Sequence, residues 1–269
     1  MDLNVDGKRA FAYTGGKPFD PRLPVVAFIH GGEHDHSVWA LQSRYLAHHG
    51  YGVLAVDLPG HGKSEPPALR RVEAMADWLV ALLDAAGAQR AALVGHSMGA
   101  LVALDCAARF PGRVTGIALL GATFPMRVTP ELLAATESAE PAAQDMINVW
   151  SHAAYAHYPG NPGPGFWVIG ENFRLMQRAK PGVLHTDFAA CDDYGAGLER
   201  AALVRCPTLL LLGQRDQMTP PRTAQALAHA LPHARVVQVA GSGHNLMGEK
   251  PDPVLDELVA FLGSPVAAA

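Results

Sequence analysis

The chain has 269 residues, 49% apolar and 17% charged, with a formal net charge of −4. It is too apolar for a disordered segment and, with three cysteines, too cysteine-poor for a disulfide scaffold. Without a basic stripe to neutralise phosphates, nucleic acid is not an expected partner.

No run approaches the roughly 20 apolar residues of a membrane span, and the first residues lack the basic and apolar parts of a secretory signal. A cytoplasmic protein is therefore expected. Cys106, Cys191 and Cys206 are dispersed, without a C-x-x-C spacing, and read as reduced core thiols.

Taken in chain order, short apolar runs alternate with amphipathic stretches. Val25-Val26-Ala27-Phe28-Ile29 is continuous rather than alternating and ends at His30-Gly31-Gly32. Gly52 to Val56 is a second run, leading into Asp57-Leu58-Pro59-Gly60-His61-Gly62. Residues 72–85 place Val72, Met75, Ala76, Leu79, Leu82 and Leu83 at helical spacing, with Gly87 as the stop. Ala91 to Val94 runs into Gly95-His96-Ser97, a helix is expected over 98–109, and Ile117 to Leu120 is followed by Gly121. Strands buried on both faces read this way, and their alternation with helices predicts a mostly parallel α/β sheet covered on both sides.

The pattern changes over 125–200. Strand-like runs vanish, breakers such as those at 159–165 separate helix-like pieces, and eight of the 19 aromatics fall here. They are Trp150, Tyr155, Tyr158, Phe166, Trp167, Phe173, Phe188 and Tyr194. This segment is expected to be a helical insertion lying over a core made of 1–124 and 201–269. Strand runs return at Thr208 to Leu212 and Arg235 to Val239; a last helix is expected over 252–262, with 264–269 as a frayed tail.

Gly95-His96-Ser97-Met98-Gly99 is G-x-S-x-G between a strand and a helix. A serine on such a tight turn is lifted clear of the sheet, and the helix N-terminus aims free N–H groups at developing negative charge. A nucleophilic serine needs a base, and the base an orienting acid. Asp216 follows the run at 208–212, and His244 follows the run at 235–239. Both therefore fall on loops at the carboxyl edge of the sheet, where reactive groups gather in open α/β folds. Ser97, Asp216 and His244 form a candidate triad drawn from three loops.

With these residues in view, the chain resembles the α/β-hydrolase superfamily over nearly its whole length. The resemblance is carried by His30-Gly31-Gly32 with Trp39, Asp57 to Ser64, the G-x-S-x-G turn, Cys206-Pro207-Thr208 leading to Gly213-Gln214-Arg215-Asp216, and Gly243-His244 with Glu249-Lys250-Pro251. It implies Ser97 as nucleophile, His244 as base, Asp216 as acid, and an oxyanion hole from the backbone N–H groups of Gly32 and Met98. No cofactor is implied. Asp187 to Tyr194 resembles the lid-exit segment of lactonase-like and ring-cleavage-product hydrolases.

The expected reaction is acyl transfer on a small-molecule ester or lactone, with Glu33, His34, Trp150 and Trp167 as candidate substrate-binding residues. A C–C bond hydrolase, a cofactor-free perhydrolase or a receptor that has lost turnover share these residues. A homodimer is also open to such a chain. His34-Asp35-His36 invites a metal reading, but the H-x-H-x-D-H order of metallo-β-lactamases is absent, so no metal is expected. His61 and His96 are read as structural, and Asp57 as a cap for loop N–H groups.

Overall fold

The computed structural model describes residues 1–138, 140–157 and 167–263. The Pro/Gly-rich stretch at 159–165, the aromatics Tyr158 and Phe166, and the expected tail at 264–269 lie outside the described residues.

Eight strands form one sheet: β1 (Asp2–Val5), β2 (Lys8–Tyr13), β3 (Val25–Ile29), β4 (Gly52–Asp57), β5 (Ala91–His96), β6 (Val114–Leu120), β7 (Thr208–Gly213) and β8 (Ala234–Val239). Their order is β1-β2-β4-β3-β5-β6-β7-β8, parallel from β4 to β8, while β2 runs against both its neighbours. Strands β3 to β7 read as unbroken apolar runs because both faces are covered. Ala27, Ile29, Leu54, Val56 and Leu93 point into one hydrophobic cluster, while Val26, Phe28, Val53, Ala55 and Val94 point into the other.

The first cluster lies under α2 (Val72–Ala85) and α3 (Met98–Arg109). The six periodic residues of α2 are all buried, and the helix stops where Gly87 takes φ 73° and Ala88 N–H returns to the Leu83 carbonyl. The second cluster lies under α1 (Ala40–His48) and the last helix (Pro251–Leu262), with Trp39 against Phe28.

Between β6 and β7 the chain forms α4 (Pro130–Ser138), α5 (Glu140–Ser151), α6 (Val168–Met176), α7 (Val183–Asp193) and α8 (Gly197–Leu203). Leu132, Ala143, Ile147, Met176 and Leu184 give α4 to α7 a small core of their own. From Ala190 onward the chain rejoins the main core through Cys191, Tyr194, Ala201 and Val204. Two short helices, α9 (Gln225–Ala230) and α10 (Leu246–Glu249), follow, and Pro251–Leu262 is α11.

Candidate active site

Ser97 sits between β5 and α3 with φ 52° and ψ −117°, a conformation non-glycine residues adopt only under constraint. The constraint is close packing. A Cβ on Gly95 would lie 2.1 Å from the Gly99 carbonyl oxygen, and one on Gly99 would lie 2.4 Å from that of Ile29. Both glycines of the motif are therefore required for α3 to seat its N-terminus on the end of β3. Met98 is the first residue of α3, so its N–H is one of the four that an α-helix leaves unbonded.

Asp216 and His244 come together from the loops after β7 and β8. His244 Nδ1 and Asp216 Oδ2 are 2.8 Å apart. The acid is held on its other sides by Met218 N–H and Thr219 N–H at 2.8 Å to Oδ1, and by the Thr219 hydroxyl at 2.7 Å to Oδ2. Burial by itself would raise this carboxyl, but the His244 ring and the Thr219 donors outweigh it and hold Asp216 below the ordinary value.

The His244 loop is fastened from two directions. The Ser151 carbonyl, at the end of α5, accepts from His244 N–H and Asn245 N–H at 2.8 and 3.0 Å. Glu249 bridges Gly243 N–H and Ala153 N–H at 2.9 and 3.0 Å.

Ser97, Met98, Gly32, Thr219 and His244 line one cavity enclosing about 680 Å³ of empty space, part of it open to solvent. Its apolar wall comes from Met126, Val128, Leu132, Trp150, Phe188 and Met218. Ser97 and His244 both line this cavity, and no direct hydrogen bond joins their side chains among the described residues.

Of the four side chains expected at the substrate, Trp150 lines this cavity and the other three do not. Trp167 caps α6 and is 69% exposed. Glu33 has φ 56° and turns its carboxyl into the interface with the insertion, where Gln144 Nε2 donates to Oε1 at 2.6 Å. Burial raises that carboxyl to about 8 against the pull of the Gln144 donor, which favours its neutral form below that pH. His34 Nε2 pairs with Asn172 Oδ1 on α6 at 2.8 Å.

The nearby histidines and acids are engaged with the protein itself. His96 Nε2 donates to the His244 carbonyl at 2.9 Å. His61 Nε2 meets Asp187 Oδ2 of α7 at 2.8 Å, and the same oxygen accepts from Glu33 N–H at 2.8 Å. Asp57 accepts from His36 N–H and Lys63 N–H at 2.8 Å each. The ligand atoms of Asp35, His36 and Asp57 lie within 4.8 Å of one another; His36 Nδ1 and Asp57 Oδ1 are 2.8 Å apart, and Asp35 Oδ1 accepts from Ser37 N–H at 2.8 Å.

Sequence reasoning passed over Thr219, Asn172 and Gln144, and took Asp187 only as the start of a lid-exit-like segment. Asn172, Gln144 and Asp187 reach from helices α5 to α7 to the loops after β3 and β4, while Thr219 braces Asp216 and His244 from the loop after β7; neither spacing nor composition signals these contacts. Glu249 stood in a stretch already singled out, but its work as a clamp on Gly243 is visible only in three dimensions.

Fold and site together define a class. A family model described as the alpha/beta hydrolase fold matches residues 24–251, and the chain belongs to this family. Among curated relatives, a pimeloyl-(acyl-carrier protein) methyl ester esterase of Aromatoleum aromaticum is 33% identical over 236 residues, 82% of this chain and 91% of that one. One of the same name from Chromobacterium violaceum is 31% identical over 229 residues, covering 82% and 87%. The enol-lactonase of Burkholderia xenovorans superposes with a TM-score of 0.85 at 23% identity, covering 98% of this chain and 100% of that one. An esterase of Exiguobacterium antarcticum gives 0.84 at 20%, covering 98% and 99%. At such identities the two structures speak for the fold. The chain is a hydrolase. Among the described residues no helix is long and apolar enough to cross a membrane.

Proposed function

We propose that the chain is a serine esterase acting on neutral esters or lactones with an apolar acyl group. The observation that carries this reading is the strained Ser97 turn opening into the same cavity as the His244–Asp216 pair. His244 Nε2 takes the Ser97 proton as Oγ attacks the carbonyl, and Asp216 keeps the other ring nitrogen protonated and faces the imidazolium that forms.

The oxyanion is received by the N–H groups of Gly32 and Met98. Collapse of the tetrahedral intermediate breaks the bond to the alcohol, which leaves with the proton from His244, and the acyl-enzyme is then hydrolysed by water that His244 deprotonates in the same way. Helices α4 to α7 act as a lid, and their apolar wall takes the acyl chain. Thioethers from Met126 and Met218 make that wall adaptable. The relatives named as methyl ester esterases support an ester as the substrate class.

Turnover of p-nitrophenyl acetate and butyrate tests this reading. Ser97→Ala is expected to lower kcat by about 10⁴-fold or more and to abolish labelling by a fluorophosphonate probe. Equal turnover by the variant, or no labelling of the parent protein, would refute it.

A further inference from the structure

The turn after β3 is held from two sides, one in the core and one in the insertion. Gly32 lines the cavity with Ser97, and its N–H donates to no group among the described residues. The carbonyl of that same peptide unit, on Gly31, is gripped by the core. His30 Nε2 accepts from Leu58 N–H at 3.1 Å, so the ring proton sits on Nδ1 and is donated to the Gly31 carbonyl at 2.8 Å.

His34 N–H returns to the Gly31 carbonyl at 3.3 Å and closes a four-residue turn. Its third residue has positive φ and its second does not, the pattern of type II. Types I and II differ chiefly by turning over the central peptide, here the one joining Gly32 and Glu33. Type II favours glycine or asparagine at the third position, whereas this chain places Glu33 there at φ 56°. Local preference alone would therefore turn that peptide over.

Asp187 opposes this from α7. Its Oδ2 accepts from Glu33 N–H at 2.8 Å, and a turned-over peptide would aim the Gly32 carbonyl at the carboxylate instead. His61 keeps that carboxylate charged. Its Nε2 lies 2.8 Å from the same oxygen, and its Nδ1 lies 3.1 Å from the Pro59 carbonyl, which can only accept. Both ring nitrogens face acceptors, and Asp187 raises the ring against its burial, so the pair is ionic. Helix α7 also closes on the turn directly: a Cβ on Gly32 would lie 3.4 Å from the Asp187 Cβ.

We infer that Asp187 is a positioning residue for the oxyanion hole: by holding Glu33 N–H it selects the turn that keeps Gly32 N–H aimed into the cavity. This rests on the serine-esterase reading above, and it makes the insertion part of the catalytic frame as well as a cover. Substrate does not touch Asp187; its effect passes through the backbone of the turn.

The test is p-nitrophenyl butyrate kinetics on variants whose folding is checked by circular dichroism. Asp187→Leu is expected to lower kcat by about ten- to a hundred-fold with KM within about two-fold, as a misaimed oxyanion donor would. Asp187→Asn, which keeps an acceptor at equal volume, should stay within about five-fold of the parent. Glu33→Gly, which accepts positive φ without strain, should restore about ten-fold when added to Asp187→Leu. Replacing both His61 and Asp187 by leucine leaves no unpaired buried charge and serves if the single variant does not fold; the same loss in kcat is expected. A kcat within two-fold of the parent in either leucine variant, a loss confined to KM, or a loss that Glu33→Gly does not relieve overturns the inference while the esterase reading stands. A parent protein with neither turnover nor fluorophosphonate labelling sinks both.

Discussion

Thr219 occupies a position that decides how the acid and base are held. Its hydroxyl donates to Asp216 Oδ2 at 2.7 Å and lies 3.2 Å from His244 Nδ1, so it borders the bond between the two. Thr219→Val removes that donor at nearly unchanged volume, leaving one buried carboxylate oxygen with the imidazole alone. A single charge-assisted bond contributes about 1.5–3 kcal/mol, so kcat for p-nitrophenyl butyrate is expected to fall by about ten-fold or more while KM stays close to the parent value.

At this scale the residues of the candidate triad were legible because each stands in a local pattern. Ser97 is flanked by glycines whose absent Cβ atoms explain the motif, and Asp216 and His244 each follow an apolar run. Thr219 stands in no pattern. Glu33 stood among the candidate substrate-binding residues, and only the fold shows its carboxyl buried against Gln144 and raised to about 8.

Helices of the insertion set the outline of the cavity, and α7 does so most directly. Phe188 of α7 lines the cavity, and a Cβ on Gly32 would lie 3.2 Å from its ring. Phe188→Ala is expected to open space beside Gly32 and move the preferred p-nitrophenyl ester toward longer acyl chains by about two carbons, at roughly 1 kcal/mol or more per methylene in an apolar pocket. A chain-length series from acetate to decanoate measures this, and an unmoved optimum would place the acyl chain elsewhere.

The parallel strands and the helices at 72–85 and 98–109 were readable, since burial on both faces gives β3 to β7 uninterrupted apolar runs and a covering helix demands a 3.6-residue period; β8, at the sheet edge and largely exposed, showed only as the valine-rich run at 235–239. The β1–β2 hairpin was not recognised. Its strands lie at the sheet edge with mixed burial, although Asp6 and Gly7, at φ 52° and 80°, carry a hairpin-turn signature. In the insertion, helix-like pieces could be sensed but not their packing, because amphipathic stripes do not name their partners.

Across the whole molecule, buried ionisable groups give stability a definite pH profile. Burial holds His30, His34, His96 and His152 below the ordinary histidine value of 6.5. Between the ordinary carboxyl value and 6.5, the unfolded chain therefore binds more protons at these four sites, and stability rises with pH.

Burial also raises Glu33 to about 8 and Glu249 to about 7. For His61, burial is outweighed by the charge and hydrogen bond of Asp187, which raise it. From the ordinary carboxyl value upward the two glutamates, and above 6.5 His61 as well, hold protons that the unfolded chain has released; the glutamates partly offset the four histidines below 6.5, and the three sites together make stability fall as pH rises from 6.5 toward 8. Thermal unfolding followed from pH 5 to 9 is expected to show its highest midpoint near pH 6.5. Glu33→Gln should flatten the alkaline side and steepen the rise on the acid side, because Glu33 acts from the ordinary carboxyl value up to about 8; an alkaline slope unchanged in that variant would remove Glu33 as its source.

The sequence by itself determined the parallel α/β sheet, the order of its main elements and the residues of the candidate triad. These depend on periodicity and on short-range backbone demands, both written locally. Only the tertiary structure decided what surrounds Ser97: that the Glu33 carboxyl is buried against Gln144 and raised, that Trp167 is exposed, and that His34 pairs with Asn172. A tautomer and a protonation state are set by whichever groups meet in space. Here the partners of His34 and Glu33 lie 138 and 111 residues away along the chain.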